Sequence, residues 1–225
     1  MLKKIAKKIA KNIKPEIIES FLQYSFYKQK YKNIENTNVF GNRESLWEHT
    51  LNFYNNNSII LLEFGVHEGG SMSKFLQLNT NRNSSFYGFD SFIGLPSAWS
   101  NWPEGSYSNN GKIPEIQDSR VNFIKGWFQN TLPNFLLNLN EIDNLIVHYD
   151  ADLYSSTLFC LMQIDALKIP YLAIFDEFVG EETRALANYQ EITGAQVEFI
   201  GKTIGIDNYA GEVSCKISPC LKYKS

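Results

Sequence analysis

Two acidic motifs carry the clearest chemical signal in this sequence. Asp150 opens the string Asp150–Thr157 and Asp176 is followed by Glu177, and each motif comes directly after an apolar run typical of a buried strand. Ligands of open α/β sheets bind at the carboxyl edge, where such strands end. Converging carboxylates repel one another unless a cation or a shared proton relieves them. Oxygen ligands of this kind favour Mg²⁺, Mn²⁺ or Ca²⁺ over zinc.

The other acids of these motifs have simpler explanations. Asp152 stands just before a predicted helix that begins near Ser155, and we expect it to cap that helix. Glu177 could be a solvated side chain. The pattern therefore points to Asp150 and Asp176 as the pair that meets at the sheet edge.

A glycine-rich turn precedes these motifs and predicts a ligand-binding loop. It reads Glu63-Phe64-Gly65-Val66-His67-Glu68-Gly69-Gly70-Ser71 and joins an apolar strand to a helix. Glycines let the backbone approach a ligand, and the helix N-terminus offers free N–H groups. The spacing is not the G-x-G-x-x-G of dinucleotide-binding loops, which ranks an NAD-dependent dehydrogenase low. Glu63 would repel a pyrophosphate but suits the ammonium group of an amino-acid-bearing cofactor.

Asp90 ends the next strand, in Gly88-Phe89-Asp90-Ser91-Phe92. An acid at this position can accept hydrogen bonds from both hydroxyls of a ribose. A strand-end aspartate can also cap a helix, so Asp90 alone does not decide between the two roles. Together with the glycine-rich turn it predicts a nucleoside-like ligand.

The three histidines differ in their prospects as a general base. His148 precedes Asp150 by two residues, on the same strand face but deeper, and is expected to be a core residue. His49 has no motif around it and is interpreted as structural. His67 projects from the glycine-rich turn and is the better candidate, with Asp150 or Glu177 as alternatives if no metal is bound.

The elements that must position these residues alternate between strands and helices from residue 58 onward, which predicts an α/β fold. The expected architecture is a Rossmann-like, doubly wound, mostly parallel sheet with a closing antiparallel strand pair. Helices are expected from about 69–71, after 131–133, over Ser155–Leu167 and over Glu182–Ile192. The predicted strands are Ser58–Phe64, Ser85–Phe89, Val121–Ile124, Asn144–Tyr149 and Tyr171–Phe175, with Gln196–Ile200 and Glu212–Ile217 as the closing pair.

One long segment, Gly94–Asp118, breaks this alternation. It has no periodicity but contains Trp99, Trp102 and Tyr107. A loop of this length inside a compact domain is usually functional and often a lid. We expect it to close over a ligand, with disorder as the alternative.

Residues 1–35 are predicted to form a basic amphipathic helical arm ahead of a catalytic domain over 36–225. Apolar residues recur at helical spacing between residues 2 and 13, and lysines fill the other faces. Such a helix either packs on its own domain or on a partner subunit in a homodimer, or it makes a weak membrane-surface contact through residues 1–14.

Composition and apolar patterning limit the partners and the location that we expect for the protein. A formal net charge of −3 gives no electrostatic case for a nucleic-acid partner. No apolar run is long enough for a membrane span, and the N-terminus lacks the apolar core of a signal peptide. Cys160 and Cys215 fall in apolar patterns and are expected to be core residues. The cytoplasm is the predicted location.

Five blocks together resemble the macrocin O-methyltransferase family, whose class I enzymes methylate sugar hydroxyls in antibiotic and polysaccharide biosynthesis. The resemblance runs from about Leu61 to Ile217. Its specific parts are the F-D-S-F-x-G-L-P string at Asp90 and the D-x-D-x-Y-x-S-T string at Asp150. The blocks are Glu63–Ser71, Asp90–Pro96, Lys125–Pro133, Asp150–Thr157 and Asp176-Glu177.

The resemblance implies a set of ligands and site residues. S-adenosylmethionine would bind with its methionine end over Glu63, Gly65, Gly69 and Ser71. Its ribose would meet Asp90 with Ser91 and Phe92 nearby, and its adenine would lie towards Trp127 and Phe128. The metal ligands would be Asp150, Asp176 and Glu177. The sequence departs from the family pattern in two places, because the last acidic pair is usually Asp-Asp and because no histidine follows His148.

The predicted function is therefore an S-adenosylmethionine-dependent O-methyltransferase assisted by Mg²⁺ or Mn²⁺. Its acceptor would be a hydroxyl of a sugar, a nucleotide sugar or a glycan, with Asp150 and His67 as the catalytic residues. The alternative is a non-catalytic subunit of a glycan-assembly system that binds a nucleotide or cofactor. The two departures slightly favour this alternative, whereas the intact acids at three neighbouring strand ends oppose it.

Overall fold

Within the described residues, eight strands form one sheet in the order β1-β7-β8-β6-β5-β2-β3-β4. The structure is a computed structural model and describes residues 25, 28–55, 57–139, 142–178, 180–205 and 210–221. The strands are β1 Asn38–Phe40, β2 Ile60–Phe64, β3 Ser85–Asp90, β4 Val121–Lys125, β5 Leu145–Tyr149, β6 Tyr171–Phe175, β7 Gln196–Ile204 and β8 Ala210–Ser218. The helices are α1 Arg43–Leu51, α2 Gly70–Leu78, α3 Phe128–Leu137, α4 Tyr154–Asp165 and α5 Glu181–Thr193, with short 3₁₀ turns at Lys32–Asn36 and Asn52–Tyr54.

Most of the central strands run parallel because helices connect them across the sheet faces, whereas a long loop connects β3 to β4. β4, β3, β2, β5 and β6 pair in parallel, whereas β8 lies antiparallel to both β6 and β7. All five residues of β5 and of β6 are buried, as expected of strands covered on both faces. The predicted α/β class and the closing antiparallel pair are confirmed.

Alternate residues of a strand pack into two separate apolar layers, one on each face of the sheet. On β2, Leu61 packs in the layer that contains Trp47 of α1 and Phe75 of α2, whereas Leu62 faces the opposite layer. This alternation follows from the period of two along a strand. The second layer also contains Cys160 and Cys215, which confirms that both cysteines are core residues.

The structure differs from the sequence prediction in one helix boundary and in two elements that were not predicted. The helix expected after residue 133 begins at Phe128, so Pro133 lies inside α3 and removes one backbone donor from it. Strand β1 and helix α1 were not predicted. In α1, charged residues interrupt the apolar pattern, and the main local signal is Asn42, whose side chain caps the helix by accepting from the Ser45 N–H at 2.9 Å.

The predicted N-terminal arm falls mostly outside the described residues, which include neither 1–24 nor 26 and 27. The prediction of a helix over residues 1–14 therefore stays a prediction. At the end of the segment, Tyr31 and Ile34 are buried in the core, and the Tyr31 hydroxyl donates to Gln190 Oε1 of α5 at 2.8 Å. In the part of the chain that the structure describes, none of the helices has the length and apolar character that a membrane span requires.

Arg120 connects the C-terminal end of α2 to the turn that follows it. Its guanidinium donates to the backbone oxygens of Leu76 at 2.9 Å and Asn81 at 3.2 Å, beyond the reach of the helix's own N–H groups. Asp118 fixes the guanidinium through Nε at 3.0 Å and Nη2 at 2.8 Å, and these hydrogen bonds lower the pKa of Asp118 to about 2.

Replacing Arg120 by Ala is therefore expected to lower the free energy of unfolding by about 2 kcal/mol, because several helix-end carbonyls lose their donor together. Urea unfolding followed by circular dichroism measures this loss. Arg82→Ala is the matched control, since Arg82 is an exposed arginine near the same helix end. Equal unfolding midpoints for the two variants would contradict the proposed role of Arg120.

Candidate active site

A cavity of about 510 Å³ opens at the carboxyl edge of the sheet. Loops that follow β2, β3, β4, β5 and β6 form its walls, which is the expected ligand position for this topology. The predicted site residues that line it are Gly65, His67, Asp90, Ser91, Trp127, Phe128, Asp150, Asp176 and Glu177.

Four predicted cofactor residues lie outside the cavity lining. Glu63 and Phe92 are fully buried, and the Phe92 ring packs against that of Phe123 with centroids 6.3 Å apart. Ser71 lies in the first turn of α2. Gly69 is covered by the loop after β3, since a Cβ on it would meet the Pro114 side chain at 3.1 Å.

Gly65 sits where β2 and β5 approach most closely at the cavity floor. Its φ of +96° is a conformation that L side chains rarely adopt, and a Cβ there would lie 1.8 Å from the Asp150 carbonyl oxygen. The Asp150 N–H donates to the Phe64 oxygen at 2.9 Å, so the strands stay paired up to this point. Glycine at position 65 thus allows the glycine-rich turn and the Asp150 motif to share one cavity.

Asp90 fixes the shape of the glycine-rich turn. Its Oδ2 accepts hydrogen bonds from the backbone N–H groups of Val66 and His67, both at 2.9 Å, and its Oδ1 accepts from that of Phe92 at 2.7 Å. His67 has a φ of +51°, and its exposed ring meets the Tyr107 ring edge-on at 5.9 Å. The carboxylate that was predicted to meet a ribose therefore also organises the turn beside it.

The strand-end acids converge as predicted, and a histidine joins them. One ligand atom each from His148, Asp150 and Asp176 lies within 4.8 Å of the other two. His148 is fully buried, which confirms its prediction as a core residue, and its Nδ1 lies 3.1 Å from Glu63 Oε1. It shares the strand face of Asp150 because side chains two residues apart point the same way. Glu177 lines the cavity but does not belong to this group.

Sequence reasoning missed Glu212, Trp47 and Arg43 at this site. Glu212 on β8 is nearly buried, and its Oε1 accepts from the Trp47 indole N–H at 2.7 Å and lies 3.7 Å from His148 Nε2. Arg43 of α1 forms ion pairs with Asp176 and Glu212. The pairing of β6 with β8 puts Glu212 beside Asp176, and no local motif in the sequence marks that pairing.

Burial and neighbouring charges shift the pKa values of these groups. Burial raises the pKa of Asp150 to about 6, although His148 and Arg43 act to lower it. Burial, and then the negative charges of Asp150 and Glu177, raise the pKa of Asp152 to about 7. Burial alone would lower the pKa of His148, but Glu212 and Glu63 raise it to about 9. Positive charge is therefore stabilised at this edge of the sheet.

The expectation that Asp152 caps the following helix is wrong. Leu153 is the residue that precedes α4, and no side-chain hydrogen bond caps the helix. Asp152 has a φ of +57° and lies in a tight turn, in which the Leu153 N–H donates to the Ala151 oxygen at 2.5 Å. Asp152 instead lines the cavity beside Asp150.

The loop between β3 and β4 forms one wall of the cavity, in agreement with its predicted functional role. Trp99 and Tyr107 line the cavity, and Trp102 lies behind Tyr107 with ring centroids 5.3 Å apart. The backbones of Trp99 and Trp102 exchange two hydrogen bonds, at 2.8 and 2.7 Å. These contacts give the loop a defined structure of its own.

Residues 103–199 match the model of the family described as macrocin-O-methyltransferase (TylF). The resemblance found in the sequence is thereby confirmed. The chain is an O-methyltransferase. The matched part of the methyltransferase includes the Trp127-Phe128 turn, the Asp150 motif and the Asp176-Glu177 pair, whereas the glycine-rich turn and Asp90 precede it.

Solved structures share the fold at low sequence identity. An O-methyltransferase from Bacillus cereus, solved with SAH, is 11% identical with a TM-score of 0.52, over 87% of this chain and 90% of that one. TomG from Streptomyces achromogenes, solved with SAM and involved in tomaymycin synthesis, is 12% identical with a TM-score of 0.52, over 87% and 89%. CalS11, a TDP-rhamnose 3'-O-methyltransferase, is 16% identical with a TM-score of 0.48, over 90% and 94%. No curated protein matches the methyltransferase significantly.

Gly65→Ala is expected to destabilise the methyltransferase by at least about 2 kcal/mol, because the new Cβ collides with the β5 backbone and strains a positive φ. Thermal unfolding measures the effect. Gly70→Ala is the matched control, since a Cβ on Gly70 meets nothing within 4 Å and lies in a helix. A melting temperature for Gly65→Ala as high as that of Gly70→Ala would contradict the close strand approach.

Proposed function

We propose that the chain is an S-adenosylmethionine-dependent O-methyltransferase whose acceptor is a hydroxyl of a sugar, a nucleotide sugar or a glycan, assisted by Mg²⁺ or Mn²⁺. The observation that carries this proposal is the single cavity that contains both the glycine-rich turn with Asp90 and the strand-end acids Asp150 and Asp176. A methyl donor bound at the first set would face an acceptor held at the second.

The cofactor end of the cavity offers groups that suit a nucleoside with an amino-acid tail. Gly65 allows close backbone approach. Asp90 Oδ1 accepts one backbone hydrogen bond and retains a lone pair for a ribose hydroxyl, whereas Oδ2 already accepts two. Trp127 and Phe128 stand at the end of β4 on the same cavity wall and could flank a flat adenine ring. These features support the nucleoside part of S-adenosylmethionine. Of the four residues predicted for its methionine end, Gly65 lines the cavity, whereas Glu63, Gly69 and Ser71 do not.

The acidic end has a donor set that fits a divalent cation. His148, Asp150 and Asp176 can each offer one atom to a shared point, and the buried Nε2 of His148 has no hydrogen-bond partner. Glu63 contacts the other ring nitrogen, as carboxylates commonly do behind a histidine ligand. Metal binding at Nε2 would require His148 to release the proton that Glu212 and Glu63 favour. A mixed nitrogen and oxygen set accommodates Mn²⁺ as well as Mg²⁺. When bound, the cation would polarise an acceptor oxygen and lower its pKa.

The protein's own contribution to methyl transfer is alignment and proton removal. The sulfonium group supplies the driving force, so the acceptor oxygen must lie in line with the methyl group. Asp150 belongs to the acidic end and lines the cavity, where it would orient the acceptor hydroxyl. His67, on the exposed side of the glycine-rich turn, is the candidate for the proton, and Asp150 or Glu177 could receive it if no metal is bound.

The loop after β3 supports a carbohydrate acceptor. Trp99 and Tyr107 line the cavity together with the acids Asp150, Asp176 and Glu177. Aromatic surfaces pack against the apolar face of a sugar ring while nearby polar groups contact its hydroxyls. This arrangement and the family resemblance favour sugars over flat acceptors.

Calorimetry is expected to show micromolar binding of S-adenosylmethionine and S-adenosylhomocysteine, with or without Mg²⁺. Asp90→Ala should weaken this binding roughly tenfold or more, because the glycine-rich turn loses the oxygen that accepts from two of its N–H groups and the ribose loses its carboxylate. Asp143→Ala, at an exposed position outside the cavity lining, is the control and should bind like the wild type. If the wild type binds neither compound, the proposed cofactor is wrong.

Asp150→Asn is expected to reduce turnover by at least about a hundredfold while it leaves S-adenosylhomocysteine affinity nearly intact, because it removes a group that acts on the acceptor. Transfer of a radiolabelled methyl group to a panel of nucleotide sugars and glycans measures turnover. Full activity of the variant would contradict the mechanism. Cofactor binding by the wild type without turnover on any acceptor would favour the non-catalytic subunit.

A further inference from the structure

A positively charged side chain, that of Arg43, lies among the strand-end acids. The Arg43 guanidinium pairs with Asp176 through Nη2, and its Nε lies 3.5 Å from Glu212 Oε2. The same guanidinium stacks over the Trp47 ring, 5.0 Å from the ring centroid. Asp176 belongs to the donor set of the proposed divalent-cation site, so Arg43 contacts one of the ligands that a metal ion would need.

Helix α1 presents Arg43 to this position. Arg43 is the first residue of the helix, directly after the capping Asn42, and Trp47 follows four residues later on the same face. Trp47 is anchored, because its indole N–H donates to Glu212 at 2.7 Å and its ring packs on Phe75 with centroids 4.5 Å apart. The helix is therefore fixed at Trp47, whereas the Arg43 side chain is 49% exposed.

The charge balance of the cluster explains why the position of Arg43 matters. Four carboxyl groups meet here, from Glu63, Asp150, Asp176 and Glu212. Among the described residues, the ion pairs to these groups come from His148 and Arg43. His148 lies deep between Glu63 and Glu212, so Arg43 is the cation nearest to the cavity. A divalent ion at Asp176 would face the guanidinium at short range, and the two positive charges would repel.

We propose that Arg43 is a resident counter-ion that competes with the divalent cation for Asp176. The guanidinium neutralises Asp176 and Glu212 while no metal is bound, and it turns out toward solvent when a metal ion takes Asp176. Arg43 therefore sets the metal affinity of the site. This inference rests on the divalent-cation site of the proposed function, and it assigns a role to a helix that lies outside the family-matched residues.

Mn²⁺ binding by the full chain tests the competition, with the free ion followed by electron paramagnetic resonance. Arg43→Gln should bind Mn²⁺ roughly tenfold more tightly than the wild type, because the positive charge that pairs with Asp176 and competes with the ion is removed. Arg82→Gln removes the same charge from an exposed site and is expected to leave the affinity unchanged. Asp176→Asn should abolish the gain when it is combined with Arg43→Gln.

Arg43→Lys provides a second variant if Arg43→Gln unfolds. Lysine keeps the charge but lacks the planar fork that reaches two carboxylates, so its Mn²⁺ affinity should fall between those of the wild type and Arg43→Gln. Equal or weaker Mn²⁺ binding by both variants would overturn the competition, as would an absence of Mn²⁺ binding in every form. S-adenosylhomocysteine binding measured in the same samples separates the two failures, because its loss would overturn the proposed function itself.

Discussion

The crowding of carboxyl groups at the ends of β5, β6 and β8 is the constraint on which the site depends. Asp150 and Asp176 meet because their strands are parallel neighbours, and Glu212 arrives beside them from the antiparallel β8. Buried like charges of this kind are costly unless cations or protons compensate them. His148 and Arg43 provide that compensation, so a helix and a strand outside the glycine-rich turn are needed to keep the acidic end intact.

The same sheet edge explains why the two halves of the cavity are rigidly related. The glycine-rich turn belongs to β2 and the acidic motif to β5, and these strands pair without interruption as far as Phe64 and Tyr149. Asp90 then holds the turn from the other side through backbone N–H groups. The distance between the cofactor end and the acidic end is therefore set by backbone hydrogen bonds and not by flexible side chains.

Sequence patterns predicted those parts of this arrangement that depend on local signals. The apolar runs gave the strands, and the strand-end positions of Asp90, Asp150 and Asp176 followed from them. Glu212, Trp47 and Arg43 could not be found in this way, because their roles arise from pairing β8 with β6 and from packing α1 on the sheet. Asp152 was misassigned for a related reason. In the structure, a turn with a positive φ places Asp152 at the cavity, whereas the sequence pattern favoured Asp152 as the cap of the following helix.

The loop between β3 and β4 has a consequence for how such a protein could diversify. The geometry of the sheet edge is tightly constrained, because Gly65 is packed against the Asp150 backbone. The wall formed by Trp99 and Tyr107, in contrast, belongs to one continuous surface segment. Backbone hydrogen bonds within the segment, such as the pair between Trp99 and Trp102, hold it. Loops on a rigid scaffold tolerate exchange far better than the strands beneath them. Exchanging residues within 95–107 would therefore change the wall that faces the acceptor, while Phe92, which donates to Asp90, and Asp118, which fixes Arg120, stay in place.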